Sequence, residues 1–205
     1  MGSLTGDGDL NRIIEAALRR VDPEGIIENG LSLDGESLTV ETEEQTISFD
    51  LGGYRNILLL GLGKASARMA RAVESKLGDR LSGGVVVTKR GHGEPLEKAE
   101  LFEARHPVPD EEGVRSARRM EELLTKVDEK TLCITVVSGG GSALLVSPYR
   151  DEKREITLPE MQETTRLLLS CGAAIHEINC IRKHLSNVKG GRLARMMAPA
   201  TSLNL

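Results

Sequence analysis

The residues best suited to chemistry fall in two glycine turns and one basic stretch. Gly61-Leu-Gly-Lys-Ala-Ser66 follows the apolar run Asn56-Ile-Leu-Leu-Leu60 and precedes apolar residues at helical spacing. A turn between a buried strand and a helix offers free backbone N–H groups and the positive helix end, which favour a phosphate or carboxylate. The dinucleotide fingerprint is not met, because its third glycine is Ser66 and the next strand ends in Thr88-Lys-Arg90 rather than in an acid. Nor is the Walker pattern, which requires Gly in place of Leu58 and Ser or Thr in place of Ala65. What remains is Lys64 beside the Gly63 turn, suited to neutralising a transferring phosphoryl group. The plain alternative is an exposed lysine on a first helical turn.

Val137-Ser-Gly-Gly-Gly-Ser-Ala-Leu-Leu145 is the stronger signal. Gly139, Gly140 and Gly141 let the backbone approach a ligand more closely than any Cβ would permit, with Ser138 and Ser142 as flanking donors. The basic stretch, Lys183-His-Leu-Ser-Asn-Val-Lys-Gly-Gly-Arg192, places Lys183, Lys189, Gly190 and Arg192 together in an otherwise acidic chain. It also reads as a helix C-terminus, with Lys and His on the dipole and the glycine pair as cap. Thr88-Lys-Arg-Gly-His-Gly93 and Arg105-His-Pro-Val-Pro-Asp110 follow two further strands, so Lys89, His92 and His106 are candidate cleft-lining residues at the ligand edge of an open sheet. No H-x-x-x-H spacing or carboxylate cluster supports a protein-held metal there. His176 lies in an apolar helical stretch and reads as a packed helix residue.

These turns need a frame, and the pattern supplies one. From Asp9, Leu10, Ile13, Ile14, Ala17 and Leu18 recur at helical spacing and predict an amphipathic helix packed on a sheet. Residues 37–40 and 45–49 alternate as a hairpin. Beyond them, short apolar strands at 57–60, 85–87, 100–105 and 132–137 alternate with helices at about 65–77 and 110–127. Thr157-Leu-Pro-Glu160 is a capping box that starts a helix to about Ser170, a further helix runs to about His184, and residues 199–205 open another strand. This pattern predicts a three-layer α/β/α, Rossmann-like domain with a mainly parallel sheet, preceded by the N-terminal helix and hairpin.

Composition narrows the partners. With 27 Lys+Arg against 31 Asp+Glu, the net charge of −4 provides no global field for nucleic acid or an anionic bilayer. Two Tyr, two Phe and no Trp leave almost no platform for stacking bases. The longest apolar run is too short to span a membrane, and the start of the chain lacks a basic, then apolar, leader. Three cysteines without C-x-x-C spacing read as reduced thiols, so the expected location is cytoplasmic.

Taken in order, Gly61-Leu-Gly-Lys-Ala65, Thr88-Lys-Arg-Gly-His-Gly93, His106-Pro-Val-Pro-Asp110, Ser138-Gly-Gly-Gly-Ser142 and the Lys183–Arg192 stretch resemble the N-terminal domain of the class II glycerate 2-kinases, a family also labelled hydroxypyruvate reductase. The resemblance runs from the first helix to the last residue. It implies phosphorylation of D-glycerate to 2-phosphoglycerate by ATP, with Mg²⁺ on the nucleotide and the site in a cleft between two domains. Residues 1–205 would then be the N-terminal domain alone. The second domain would be absent, and a homo-oligomer or a separately encoded C-terminal half would be a candidate partner. By motif, Lys64 matches the active-site lysine, the 138–142 and 183–192 segments match phosphate-facing positions, and the His92 and His106 loops match the cleft lining. Transfer would be in line, driven by positioning and charge neutralisation, with Lys64 on the transferring oxygens and Lys189 or Arg192 on an anion. No convincing general base is visible. A nicotinamide-dependent hydroxypyruvate reductase and a non-catalytic assembly module are the competing readings.

Overall fold

The computed structural model describes residues 8–205. The reading of the leader region falls on residues 1–7, outside the described residues. The chain opens with α1 (Gly8–Arg20) and α2 (Pro23–Gly30), followed by β1 (Leu31–Asp34), β2 (Ser37–Glu41) and β3 (Thr46–Asp50), which form a three-stranded antiparallel sheet. Asp22 caps α2 by accepting from the Gly25 N–H at 3.0 Å, with Pro23 in the first turn. The predicted hairpin is β2–β3, and the sequence pattern had not revealed α2 or β1.

The main sheet is wholly parallel. Its strands β4 (Asn56–Leu62), β5 (Gly83–Lys89), β6 (Ala99–Ala104), β7 (Thr131–Val137) and β8 (Thr201–Asn204) lie in the order β6-β5-β4-β7-β8. After β4 the chain moves outward through β5 to β6, then crosses back to β7 on the other side of β4. The carboxyl ends of β4 and β7 therefore lie side by side at the point where strand order reverses. Both strands are buried almost throughout, as expected for a parallel sheet covered on two faces.

Alternation along β4 assigns the layers. Ile57 and Leu59 pack with Met69, Val73 and Leu77 of α3 (Ser66–Leu77), while Leu58 and Leu60 pack with Ala117, Met120 and Leu124 of α4 (Glu111–Leu124). Each such leucine, removed from water, contributes about 1.5–3 kcal/mol. The small sheet joins the α3 side through Leu31, Leu38 and Val40. After β7 come the short α5 (Gly141–Leu144), α6 (Leu158–Ser170), α7 (Ile175–His184) and α8 (Arg192–Met197). The capping box at α6 is present in both directions: Thr157 N–H donates to Glu160 Oε2 at 2.7 Å, and Glu160 N–H to Thr157 Oγ1 at 3.4 Å.

Three expectations are corrected. The first helix does not pack on a sheet: α1 lies against α2 with no buried residue and Ile13 66% exposed, because α2 and α3 already fill that face with Ile27, Val73 and Leu77. The glycine pair does not cap α7, which ends at His184; Gly190 and Gly191 instead turn the chain into α8, with Gly191 as its N-cap. His176 is exposed on α7 rather than packed, since that helix buries only Ile178.

Candidate active site

The two glycine turns meet at the strand-order reversal and are tied together by backbone. Lys64 N–H donates to Gly139 O at 3.0 Å, and Ser138 N–H donates to Leu62 O at 3.0 Å. Ser138 Oγ then accepts from Ala65 N–H, also at 3.0 Å, so one serine connects the β7 turn to the entry of α3. Gly63 has φ +131°, and a Cβ there would stand 2.2 Å from Ser138 Oγ; only glycine fits. Ser66, which breaks the dinucleotide fingerprint, supplies a different lock: its buried hydroxyl faces Gly63 O at 2.8 Å and Val87 O at 2.9 Å. Thr88 Oγ1 donates to Lys64 O at 3.2 Å. The Lys64 backbone is thereby fixed on both sides while its side chain stays exposed.

Gly140, at φ +96°, has Lys64 and His106 as its neighbours: a Cβ would lie 3.2 Å from Lys64 Cε and 3.3 Å from His106 Cδ2. Lys64, Gly140 and His106 thus share one small space. His106 is held below the ordinary histidine pKa, first by burial and then by the charges of Lys64, Lys89 and Arg182. Lys64, Lys89 and Arg182 are thus three cations around one imidazole, with Lys64 and Lys89 at the carboxyl ends of β4 and β5. Among the described residues, Lys64, Lys89 and Arg182 have no carboxylate within ion-pair distance, whereas Arg90 beside them is paired with Asp110 at 3.1 Å.

Arg182, on α7, escaped the sequence reading because it sits one residue before the basic stretch, inside what reads as plain amphipathic helix. Its Nη2 donates to Ser142 O at 3.2 Å. Lys189 reaches the same short helix from the other end, with Nζ donating to Leu145 O at 3.1 Å, and burial, followed by the nearby Arg182 charge, pulls its pKa down to about 8. The remaining candidates lie elsewhere. Arg192 spends Nη1 on the carbonyls of Lys183 at 2.7 Å and Ser186 at 3.0 Å, clamping the turn before α8. Lys183 is exposed on α7 with Gly190 packed beside its Cβ. His92 is exposed on a turn held by Glu103, which accepts from Gly91 N–H and Gly93 N–H at 3.1 and 2.8 Å. The structure therefore gathers Gly63, Lys64, Lys89, His106, the 138–142 turn, Arg182 and Lys189, and places Lys183, His92 and Arg192 outside that group.

A hard divalent cation held by protein oxygen does not fit this donor set, which is cationic and carries no acid. Groups of three or more His, Cys, Asp or Glu able to hold a metal do not occur among the described residues. Phosphate or carboxylate oxygen does fit.

A parallel α/β domain whose glycine turns meet at the strand-order reversal, with unpaired cations beside them, has a geometry that suits a phosphate or carboxylate. The chain belongs to the family described as "Domain of unknown function (DUF4147)", whose model matches residues 9–205. It is 38% identical over 186 residues to a glycerate 2-kinase of Pyrococcus horikoshii, covering 91% of this chain and 40% of that one. It is 37% identical over 196 residues to a putative hydroxypyruvate reductase of Agrobacterium vitis, covering 96% and 40%. The crystal structure of a Thermotoga maritima glycerate kinase superposes with a TM-score of 0.75 at 35% identity, over 94% of this chain and 42% of that one. The chain spans about two fifths of the length of the curated relatives it matches.

Proposed function

We propose that this chain carries the N-terminal α/β half of a glycerate-type kinase site, working in the cytoplasm on D-glycerate with ATP as phosphoryl donor. The rest of the site would come from a further domain, a separately encoded half or a second copy. The observation that carries the reading is the unpaired cluster of Lys64, Lys89 and Arg182 around His106, at the reversal point of a parallel sheet. The names of the relatives supply the substrate.

In that role Lys64 meets the transferring phosphoryl oxygens, with its backbone fixed by Gly139, Ser138 and Thr88, so that little reorganisation is needed as charge develops. Lys89 adds a second positive charge, and His106, kept neutral by burial first and by its cationic neighbours second, offers an imidazole for hydrogen bonding rather than a third charge. Catalysis then rests on positioning and charge neutralisation, as phosphoryl transfer generally does. Mg²⁺ would arrive on the nucleotide; no residue of this cluster is suited to hold it. The reductase name of the A. vitis relative is disfavoured by Lys89 and Arg90 at the end of β5, where a dinucleotide site needs an acid.

The test is glycerate-dependent release of ADP from Mg-ATP, measured on this chain and on the chain extended through its downstream reading frame. Release from either form supports the reading. Silence from both, with NADPH-dependent reduction of hydroxypyruvate in its place, contradicts it.

A further inference from the structure

The N-terminal layer, away from the Lys64 cluster, leaves apolar surface uncovered. α1 is amphipathic, yet none of its residues is buried. Ile13, Ala17 and Val21 recur every four residues and form one exposed row, with Ile13 and Val21 each 66% exposed. Ile26 of α2 is exposed as well. A helix of this length is marginal in water on its own, because most helix stability comes from packing an apolar face against something. Within this chain α2 takes only the Ile14 side of α1, which is half-buried, and the opposite row meets nothing.

Beside that row runs a groove of about 570 Å³. Arg19 and Arg20 line it from α1, Gly25 and Ile26 from α2, and Glu41 and Glu43 from the turn between β2 and β3. Arg20 lies seven residues after Ile13, so the row and the groove share one side of the helix. The two borders carry opposite charge: Arg12, Arg19 and Arg20 on α1, and Glu41, Glu43 and Glu44 on the turn. One pair, Arg20 with Glu43 at 3.5 Å, links the borders, and both side chains are so exposed that it holds little. Among the described residues, Arg19, Glu41 and Glu44 have no ion-pair partner.

A face with a basic border on one side and an acidic border on the other is complementary to itself. A half-turn about an axis through the groove lays α1 of one copy along the acidic turn of a second copy, and symmetry makes the reverse contact at the same time. We propose that this face is the two-fold interface of a homodimer, with Ile13, Ala17, Val21 and Ile26 at its apolar centre and each basic border on the acidic border of the other copy. A small interface with a charged rim gives a reversible dimer, with a Kd on the order of 10 µM. The proposal involves none of Lys64, Lys89 and Arg182, so it stands or falls apart from the kinase reading.

The experiment is sedimentation velocity of this chain at loadings from about 1 to about 200 µM. The mass should rise from that of one chain to that of two across this range, and high salt should weaken the association. Ile13→Glu/Val21→Glu should raise the Kd at least tenfold. So should Arg19→Glu/Arg20→Glu and Glu43→Lys/Glu44→Lys, each taken alone, because like charges then face each other across the axis. An equimolar mixture of these two charge variants should return to within about threefold of the wild-type Kd, since both borders of the mixed dimer again meet their opposites. Every substituted side chain is exposed, so urea unfolding of the variants should match wild type. A single-chain mass at all loadings overturns the proposal. So does association indifferent to these variants, or a mixture that fails to recover. A chain extended through its downstream reading frame that stays monomeric while this chain pairs would give the face to the added segment, and would equally overturn the homodimer.

Discussion

Two groups of cations flank α3, and they are built in opposite ways. On the α2 side, Arg68 pairs with Asp22 at 2.7 Å, and Arg71 pairs with Glu24 at 2.6 Å and with Glu94. Both acids titrate below their ordinary values, Asp22 chiefly through the Gly25 N–H and Glu24 through its Arg71 hydrogen bond. Just before the start of the same helix, Lys64 gathers with Lys89 and Arg182 around His106, with no acid among them. The first group is complete and fastens α2 to α3; the second has no counter-charge among the described residues. What marks a site in this chain is therefore a missing counter-charge rather than a count of basic residues.

The sharpest way to break the comparison is Lys64→Ala. In whichever form of the chain releases ADP, turnover should fall about 10²–10³-fold, the usual cost of losing one electrostatic contact to the transition state. Lys64 is exposed, so stability should change by no more than about 0.5 kcal/mol in urea unfolding. Near-normal turnover would remove the kinase assignment.

Gly63→Ala acts on the frame instead of the charge. A Cβ forced to 2.2 Å from Ser138 Oγ, at a φ that disfavours side chains, should cost about 3 kcal/mol in the same unfolding measurement. Arg192→Met tests whether basic stretch and site coincide: stability should drop about 0.5–1.5 kcal/mol as the exposed Lys183 and part-buried Ser186 carbonyls lose their donor, while tripolyphosphate affinity remains.

The smallest effect belongs to the paired group. Glu24→Gln should cost about 0.5–1 kcal/mol at pH 7, as expected of partly exposed pairs. Because the folded carboxyl titrates below its ordinary 4.5, its contribution is complete above that value and is lost as pH falls through the lower folded pKa. Unfolding curves of the variant should accordingly be flatter than wild type on the acid side.

Much of this arrangement was legible in residue types. Continuous apolar runs such as 57–60 and 132–137 cannot alternate faces toward water, so they had to be buried strands with helices on both sides. The glycine turns were legible because each directly follows such a run. Arg182 was not, since an arginine on an amphipathic helix looks like a solvated side chain until Ser142 is brought against it by folding. Arg192 shows a second role that the Lys-Gly-Gly-Arg pattern does not announce, since its Nη1 also holds the carbonyls of its own turn. Similarly, the apolar spacing of α1 promised a buried face that α2 and α3 leave no room for. Local pattern specifies elements; which cation remains unpaired is decided by long-range contacts.

The most direct test of the central claim is calorimetric titration of inorganic tripolyphosphate into the wild-type chain, Lys64→Ala/Lys89→Ala and Arg68→Gln/Arg71→Gln. The account predicts that the first pair of substitutions weakens binding at least tenfold, about 1.4 kcal/mol, while the second leaves it within twofold. Equal losses in both, or a loss confined to the Arg68/Arg71 variant, would contradict it.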